Sequence, residues 1–196
     1  MNLEPLGNSE DFFQGSGTYT FEEVLFALKS QRTDLGLKLE SAVRTDPSGV
    51  SYFAPCSNAL YMMEINDENI KTLLETLKKA GIYENVIVDL NFRLDKSFIS
   101  IMELVNQIVL VQDGGQSSNS KFYRAIEALK VVEEQERSEL LGKMKLMYNR
   151  FSSSKSSTEL TGVVFPAIGK IPPVKHASLQ EIIEFMQTKQ EVFERL

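Results

Sequence analysis

The sequence predicts an α/β fold with a doubly wound, mostly parallel sheet. Three observations support this prediction. Short apolar runs alternate along the chain with amphipathic helical patterns, as in proteins built from repeated strand–helix units. Two of the runs, Val86-Ile87-Val88 and Ile108-Val109-Leu110-Val111, are apolar without interruption, which is typical of strands covered on both faces. Two of the helical patterns open with a capping box.

The composition is that of a globular protein, and it excludes several kinds of site. The chain has 196 residues with 21 Lys and Arg, 27 Asp and Glu, one His and one Cys. We expect one domain over residues 1–196 from this length. The net charge of −6 argues against non-specific binding to nucleic acid or to anionic membranes. One Cys and one His exclude an internal disulfide and a His/Cys zinc site.

The sequence contains no segment typical of a leader or a membrane span. Residues 1–13 lack a basic region followed by an apolar one, and no apolar run approaches the ~20 residues of a spanning helix. We therefore expect a cytoplasmic protein.

The expected strands and helices follow each other in a regular order. The strands are expected at residues 50–54, 86–89, 108–111, 145–148 and 163–165. The helices are expected to begin after Thr20, after Asn66, near residue 95, near residue 118 and after Ser178. Glu23 completes the capping box of Thr20, Glu181 completes that of Ser178, and Gly81 is placed to end the second helix.

Two further segments carry expectations of their own. The last helix has a single apolar stripe, so we expect it to pack on the sheet rather than to meet a partner. The serine-rich residues 152–161 are expected to form a flexible loop.

Asp89 ends the first of the two continuous apolar runs, Val86-Ile87-Val88, and is a candidate magnesium-binding carboxylate. A strand tip holds a charge in place, as a Walker B carboxylate is held near the magnesium ion of a nucleotide. An acidic residue that caps the following turn gives the same pattern, so the pattern alone does not separate the two interpretations.

A nucleotide site also needs groups that hold phosphates, and the sequence contains no Gly-x-x-x-x-Gly-Lys-Ser/Thr motif. Both Gly-Lys pairs, at Gly142 and at Gly169, lack the earlier glycine and the following hydroxyl residue. Asp113-Gly114-Gly115 is interpreted as a turn rather than as a phosphate cradle. Asn149 follows another strand, and its amide suits the edge of adenine, with a turn residue as the alternative.

Nucleophilic catalysis is the less favoured interpretation of the remaining reactive residues. A hydrolase would need His176 and Ser178 as base and nucleophile, but no Gly-x-Ser-x-Gly elbow is found. Cys56 is interpreted as a small, half-buried side chain.

Taken in order, these strand ends resemble the later part of a ParA/MinD-type ATPase domain, the deviant-Walker branch of the SIMIBI-class P-loop NTPases. The resemblance is in particular to TadZ/CpaE-type pilus-assembly proteins, and it spans nearly the whole chain. The segments that carry it are Asn2-Leu3-Glu4-Pro5, Gly49-Val50-Ser51-Tyr52-Phe53, Tyr83-Glu84-Asn85-Val86-Ile87-Val88-Asp89-Leu90, Ile108-Val109-Leu110-Val111-Gln112-Asp113-Gly114, Tyr148-Asn149-Arg150-Phe151 and Gly169-Lys170-Ile171-Pro172.

The resemblance assigns roles to individual residues. Glu4 occupies the acidic switch I position, which helps to place magnesium or the attacking water. Asp89 occupies the Walker B position and would bind magnesium directly or through water. Asn149 and Arg150 fall in the adenine-contacting segment. The loop at Ile171 and Pro172 would border the base.

The sequence also departs from the family pattern. Asn91 and Arg93 stand where switch II commonly has Pro and Gly. In the family, a P-loop and a receiver-like domain precede the Glu4 position. We therefore expect the chain to be the C-terminal portion of an ATPase domain that lacks the P-loop strand, and to be marginally stable or to associate. We expect no ATP hydrolysis by the chain alone, because the lysine and amides that stabilise phosphoryl transfer are missing.

The resemblance implies cofactors and partners as well. ATP and magnesium serve the full-length family, and ATP drives the formation of a homodimer. The expected partners are pilus-assembly or secretion proteins, and the expected place is the cell pole, at the inner face of the bacterial membrane. No nucleic acid is expected. The alternative function is a non-catalytic protein-interaction scaffold derived from the same fold.

Overall fold

The computed structural model describes residues 1–4, 6–30, 34–160 and 165–194. The chain forms two compact units, Met1–Leu104 and Val105–Leu196.

The N-terminal unit is mainly helical. Its helices and strands are α1 (Phe21–Lys29), α2 (Leu35–Ala42), β1 (Val43–Thr45), β2 (Ser51–Phe53), α3 (Ala59–Met63), α4 (Asp67–Ala80) and α5 (Lys96–Leu104). A 3-10 turn lies at Ser9–Asp11. Helix α1 packs on α2 and α4, and α4 packs on α5, so that their apolar faces form the core of this unit.

The helix signals of the N-terminal unit are confirmed. The Thr20 side chain accepts from the Glu22 amide, and Glu23 reaches back to the Thr20 amide at 2.8 Å. Asn66 caps α4, and Gly81 ends it in the left-handed conformation at φ 63°. These local signals place the ends of both helices.

Strands β1 and β2 form an antiparallel pair in which Arg44 lies opposite Tyr52. The turn between them closes with hydrogen bonds from Asp46 N to Val50 O and from Gly49 N to Asp46 O. The strand predicted at residues 50–54 is therefore confirmed, but as half of a small hairpin and not as part of a parallel sheet.

The prediction of a strand at residues 86–89 is wrong. The segment is extended, but its only strand pairing in the described chain is a parallel bridge between Asp89 and Asn2. The prediction that this run is covered on both faces is also wrong, because Val86 is 41% and Ile87 74% exposed. A continuous apolar run does not become a buried strand when one backbone edge has no partner strand.

The C-terminal unit is built on a three-stranded parallel sheet. Its helices and strands are β3 (Ile108–Gln112), α6 (Gln116–Glu136), β4 (Met144–Tyr148), β5 (Ala167–Lys170), α7 (Leu179–Gln187) and α8 (Gln190–Phe193), with a 3-10 turn at Leu141–Lys143. The strand order is β3-β4-β5, with both pairs parallel. Leu110 lies opposite Leu146, and a bulge follows Leu146 on the β5 side.

The central strand β4 is the most buried strand of this sheet. Four of its five residues are buried, whereas Val111 of β3 is 60% exposed. The continuous apolar run of β3 is thus a strand, as predicted, but it is not covered on both faces.

The last strand lies later than predicted. The prediction was residues 163–165, of which Val163 and Val164 lie outside the described residues. Phe165 is not in a strand, and β5 begins at Ala167. Pro166 has no amide hydrogen, so it enters the ladder only through its carbonyl, which accepts from Leu146 N at 2.9 Å.

The C-terminal helices pack on the sheet, which confirms the packing prediction for the helix after Ser178. Phe185 and Met186 of α7 lie against a buried cluster of Met147, Ile168, Ile171 and Val192. Val192 belongs to α8 and lies over Gly169, where an added Cβ would be 2.7 Å from its Cγ1. A larger residue at position 169 would push α8 off β5.

Candidate functional site

The two predicted carboxylates, Glu4 and Asp89, lie on adjacent extended segments of the N-terminal unit. Asp89 N donates to Met1 O at 2.9 Å, and Leu3 N donates to Asp89 O at 3.1 Å. Glu4 follows directly, with its amide donating to Asn2 Oδ1 at 2.9 Å. Both acidic side chains are exposed. The pairing with Asn2 is what brings the switch I-like and Walker B-like positions together.

Glu4 and Asp89 are the residues predicted to bind magnesium. Mg²⁺ usually keeps several waters and takes one or two carboxylates together with substrate phosphates. Across the residues that the structure describes, no group of three or more His, Cys, Asp or Glu could hold a metal. A magnesium ion at Glu4 and Asp89 would therefore need its other ligands from water or from a phosphate.

Glu4 also lines a cleft of about 170 Å³ that does not include Asp89. The walls come from the N-terminal segment, from the start of α1, from the residues after β2 and from α3. They are formed by Asn2, Glu4, Leu6, Gly7, Ser9, Phe21, Phe53, Ala54, Pro55, Cys56, Ala59 and Met62. The sequence predicted the carboxylate but not the cleft, because its walls are distant in sequence.

Cys56, in this cleft, is not an activated nucleophile. Burial raises the pKa of its thiol to about 11, and the nearby carboxylates of Glu22 and Glu23 act in the same direction. A thiol of this kind is protonated at neutral pH, and the thiolate is the reactive form.

Arg93, at the switch II-like position, is held in a network of contacts. Its Nη2 donates to both Asp67 carboxylate oxygens, at 2.6 and 2.7 Å, and its Nε donates to Asp95 Oδ2 at 2.8 Å. Its guanidinium also lies 5.0 Å from the centroid of the Phe98 ring. The hydrogen bond to Asp67 is the main reason that the pKa of Arg93 is raised. Through Asp67 and Asp95, Arg93 links the start of α4 to the residue that precedes α5.

The predicted adenine-site residues come together in the C-terminal unit. Asn149 N donates to Gln112 O at 2.8 Å, Ile171 N donates to Tyr148 O at 2.8 Å, and Phe151 N donates to Ile171 O at 2.9 Å. These bonds hold the residues after β4 beside those after β5. The arrangement is the one in which ligands bind to parallel sheets, beyond the carboxyl ends of the strands.

The four predicted adenine-site residues differ in how exposed their side chains are. Asn149, Arg150 and Pro172 are exposed, whereas Ile171 is 2% exposed and belongs to the core cluster. Asn149 Oδ1 accepts from Arg150 N at 2.9 Å, and Arg150 adopts φ 57°. Ile171 therefore shapes this edge through its backbone.

The turn predicted at Asp113-Gly114-Gly115 is confirmed. The Gly115 amide donates to Asp113 Oδ1 at 2.8 Å, and Gly114 has φ 73°. A Cβ on Gly114 would lie 3.0 Å from the Phe151 ring, so glycine is required by both conformation and space. Hydrogen bonds to Ser118 and Gly115 lower the pKa of Asp113.

The serine-rich loop is tied to this turn. Ser156 Oγ donates to Asp113 O at 2.7 Å, and Ser157 N donates to Gly114 O at 2.8 Å. Asn119 Nδ2 reaches both Gly114 O and Ser157 O, at 3.1 and 3.0 Å. Residues 152–160 contain no helix or strand. Their predicted flexibility stays a prediction, and Thr161 lies outside the described residues.

Asn119 was missed by sequence reasoning. The available signal was an amide side chain in the first turn of a helix that follows a Gly-Gly turn, where backbone carbonyls need donors.

Ser178 serves as a helix cap. Its Oγ donates to Glu181 Oε2 at 2.8 Å, and its amide donates to the same oxygen at 2.7 Å. His176 lies exposed two residues earlier, at φ 54°. The hydroxyl is thus engaged in the capping box of α7 and not in a nucleophile–base pair.

No helix in the described part of the chain combines the length and apolar character that a bilayer crossing requires.

The chain has an α/β fold with a three-stranded parallel sheet and helices, and this fold is similar to that of a ParA family ATPase of known structure. Among solved structures, the chain is similar to the crystal structure of a ParA family ATPase from Chlorobium tepidum TLS, with a TM-score of 0.64 and 18% sequence identity. The likeness covers 99% of this chain and 75% of that chain. No family model matches the sequence. No curated protein matches it either.

Proposed function

We propose that the chain is a ParA/MinD-like ATPase-fold protein of the TadZ/CpaE type, which acts in the polar localisation and assembly of a Tad/Flp pilus or secretion system. The observation that carries the proposal is the Asn2–Asp89 pairing, which puts Glu4 and Asp89 on adjacent segments. The fold likeness over 99% of the chain supports the ParA-like part. The pilus role rests on the sequence resemblance.

In this proposal the site residues have separate tasks. Glu4 and Asp89 hold a magnesium ion that is shared with the phosphates of ATP. Asn149, Arg150, Ile171 and Pro172 border the adenine. The sequence contains no Walker A motif, so the chain by itself does not hydrolyse ATP. The protein acts as a homodimer in the cytoplasm, with pilus-assembly proteins as partners.

The magnesium assignment is tested with Mn²⁺, which replaces Mg²⁺ and broadens the NMR signals of nearby amides. We expect broadening at Leu3, Glu4 and Leu90, and we expect Asp89→Asn to abolish it. Glu84→Gln, on the same segment, is the matched control and keeps the broadening. Unchanged broadening in Asp89→Asn would show that the metal binds elsewhere.

Two further measurements test the nucleotide and pilus parts. Calorimetric titration of the chain with Mg-ATP is expected to show no sub-micromolar binding, and tight binding would refute the assignment of the missing phosphate loop. A fluorescent fusion is expected to form a polar focus in a bacterium that carries Tad pilus genes. A diffuse signal in that strain would refute the pilus role.

The contacts of Arg93 favour a second candidate function, a non-catalytic interaction scaffold. A switch that senses a γ-phosphate has to move, and Arg93 is bound to Asp67 and Asp95. If the scaffold function is correct, Arg93→Gly leaves dimerisation and polar localisation unchanged. If the switch function is correct, dimerisation and polar localisation of the original chain change when nucleotide is added.

A further inference from the structure

The cleft beside Glu4 has the shape and lining of a site for one bulky apolar side chain. Its deep part is apolar, with Phe21, Ala54 and Met62 all buried. Its lip carries Leu6, which is 88% exposed. The cavity of about 170 Å³ exceeds the roughly 150 Å³ of an engineered protein cavity that binds benzene. A leucine or phenylalanine side chain therefore fits.

The electrostatic surroundings of the cleft are negative. The N-terminal unit contains nine Lys and Arg against sixteen Asp and Glu, a net charge of −7. Glu4 stands in the cleft wall, and its side chain is exposed. Glu22 and Glu23 lie near enough to Cys56 that their carboxylates add to the rise in the pKa of its thiol, which burial mainly causes.

We propose that this cleft is a docking site for a short basic segment of a partner protein, which inserts one bulky apolar side chain among Phe21, Ala59 and Met62 and places a Lys or Arg beside Glu4. This combination gives an apolar anchor in a pocket with a charged rim, which is how many peptide grooves achieve affinity and orientation. The inference goes beyond the proposed function, because neither nucleotide nor magnesium takes part.

The test uses three fluorescein-labelled hexapeptides with the full chain, in EDTA and without nucleotide. The probes are Lys-Lys-Phe-Leu-Lys-Lys, the charge-reversed Glu-Glu-Phe-Leu-Glu-Glu and the anchor-free Lys-Lys-Ser-Ser-Lys-Lys. We expect fluorescence anisotropy to show that the first binds about tenfold or more tightly than the anchor-free peptide, as burial of one large apolar side chain predicts. We expect it also to bind more tightly than the charge-reversed peptide, because Glu4 repels the glutamates of that peptide. Equal binding of the two lysine peptides would overturn the proposal, because no anchor would then be needed.

Two variants and one control locate the binding. Ala59→Phe fills the cleft, and Leu6→Ser removes the apolar side chain at its lip without adding charge. Each is expected to weaken the first peptide about tenfold or more. Leu37→Ser, at a residue of α2 that is 68% exposed and outside the cleft wall, is the control and keeps the affinity. A loss in Leu37→Ser equal to that in Leu6→Ser would overturn the assignment to the cleft.

Alkylation of Cys56 by iodoacetamide at pH 9 gives a readout inside the cleft that does not depend on a substitution. We expect saturating peptide to slow it about tenfold. Unchanged alkylation at saturation would place the peptide elsewhere. Sedimentation equilibrium tests whether a second copy of the chain fills the cleft instead. A dimer that Leu6→Ser dissociates would show that it does, and this would overturn the proposal.

Discussion

Apolar segments of the two units differ in how far they are buried. In the C-terminal unit, β4 pairs with a strand on each side, and Leu146 is 1% exposed. In the N-terminal unit, residues 86–88 are extended next to Met1–Leu3, and Ile87 is 74% exposed. The comparison teaches that pairing of both backbone edges, and not the apolar run itself, decides whether such a segment is a core strand.

The units also differ in charge. The N-terminal unit has a net charge of −7, whereas the C-terminal unit has twelve Lys and Arg against eleven Asp and Glu, a net charge of +1. The acidic character of the whole chain therefore comes from the unit with the exposed carboxylates Glu4 and Asp89.

The largest expected effect is a loss of stability when an apolar side chain of the buried strand β4 is shortened. Leu146→Ala is expected to cost about 2–5 kcal/mol of unfolding free energy, because it leaves a cavity in a paired and buried strand. Ile87→Ala is expected to cost less than about 0.5 kcal/mol, since its side chain is mostly in water. Urea unfolding followed by circular dichroism measures both. A comparable loss in the two variants would mean that residues 86–88 are buried in solution.

A second pair of variants compares glycines. Gly169→Ala is expected to cost about 1–3 kcal/mol, because the added Cβ overlaps Val192. Gly36→Ala lies in the first turn of helix α2 with nothing within 4 Å of the new Cβ, and it is expected to stabilise by about 0.4–1 kcal/mol. The same denaturation experiment measures both changes. A neutral Gly169→Ala would show that α8 does not press on β5.

The Arg93 network offers a smaller effect confined to the N-terminal unit. Arg93→Ala is expected to cost about 1 kcal/mol or less, because its side chain is 43% exposed and water screens the ion pairs. Arg93→Lys is the matched control. It is expected to recover only part of the loss, since an ammonium group cannot reproduce contacts to Asp67 and Asp95 at once. Full recovery would mean that charge alone matters.

The smallest effect is a pH dependence shared by both units. Hydrogen bonds lower the pKa of Asp46 and Asp95 in one unit and of Asp113 in the other, from a usual value of 3.8. Such carboxylates stabilise the fold above their unfolded pKa and lose this contribution as the pH falls through the folded value. We expect stability to be level near neutral pH and to fall below about pH 4, with a smaller fall in Asp113→Asn. An identical acid profile in that variant would contradict the role of Asp113.

Local signals predicted the helices well. Thr20 with Glu23, Asn66 with Gly81 and Ser178 with Glu181 fix helix ends through contacts within a few residues, so the sequence alone contains the information. The short helices α2, α3 and α8 and the strand β1 were missed. They are between three and eight residues long, too short for a periodic pattern to develop.

The candidate site was only partly predictable. The order of the strand-end segments predicted Glu4, Asp89, Asn149 and Ile171 as site residues. It did not show that Ile171 is buried or that Arg93 contacts two aspartates. Those outcomes depend on which residues meet across long sequence separations.

By itself, the sequence determined the α/β class, the positions of the long helices, the acidic charge and the lack of a Walker A motif, because these are properties of composition and local pattern. Only the tertiary structure decided that residues 86–89 are not a full strand, that Asn2 joins Glu4 to Asp89, and that a cleft opens beside Glu4. The physical reason is that backbone pairing and cavities form between segments distant in the chain, whereas caps and helical faces form within a few residues.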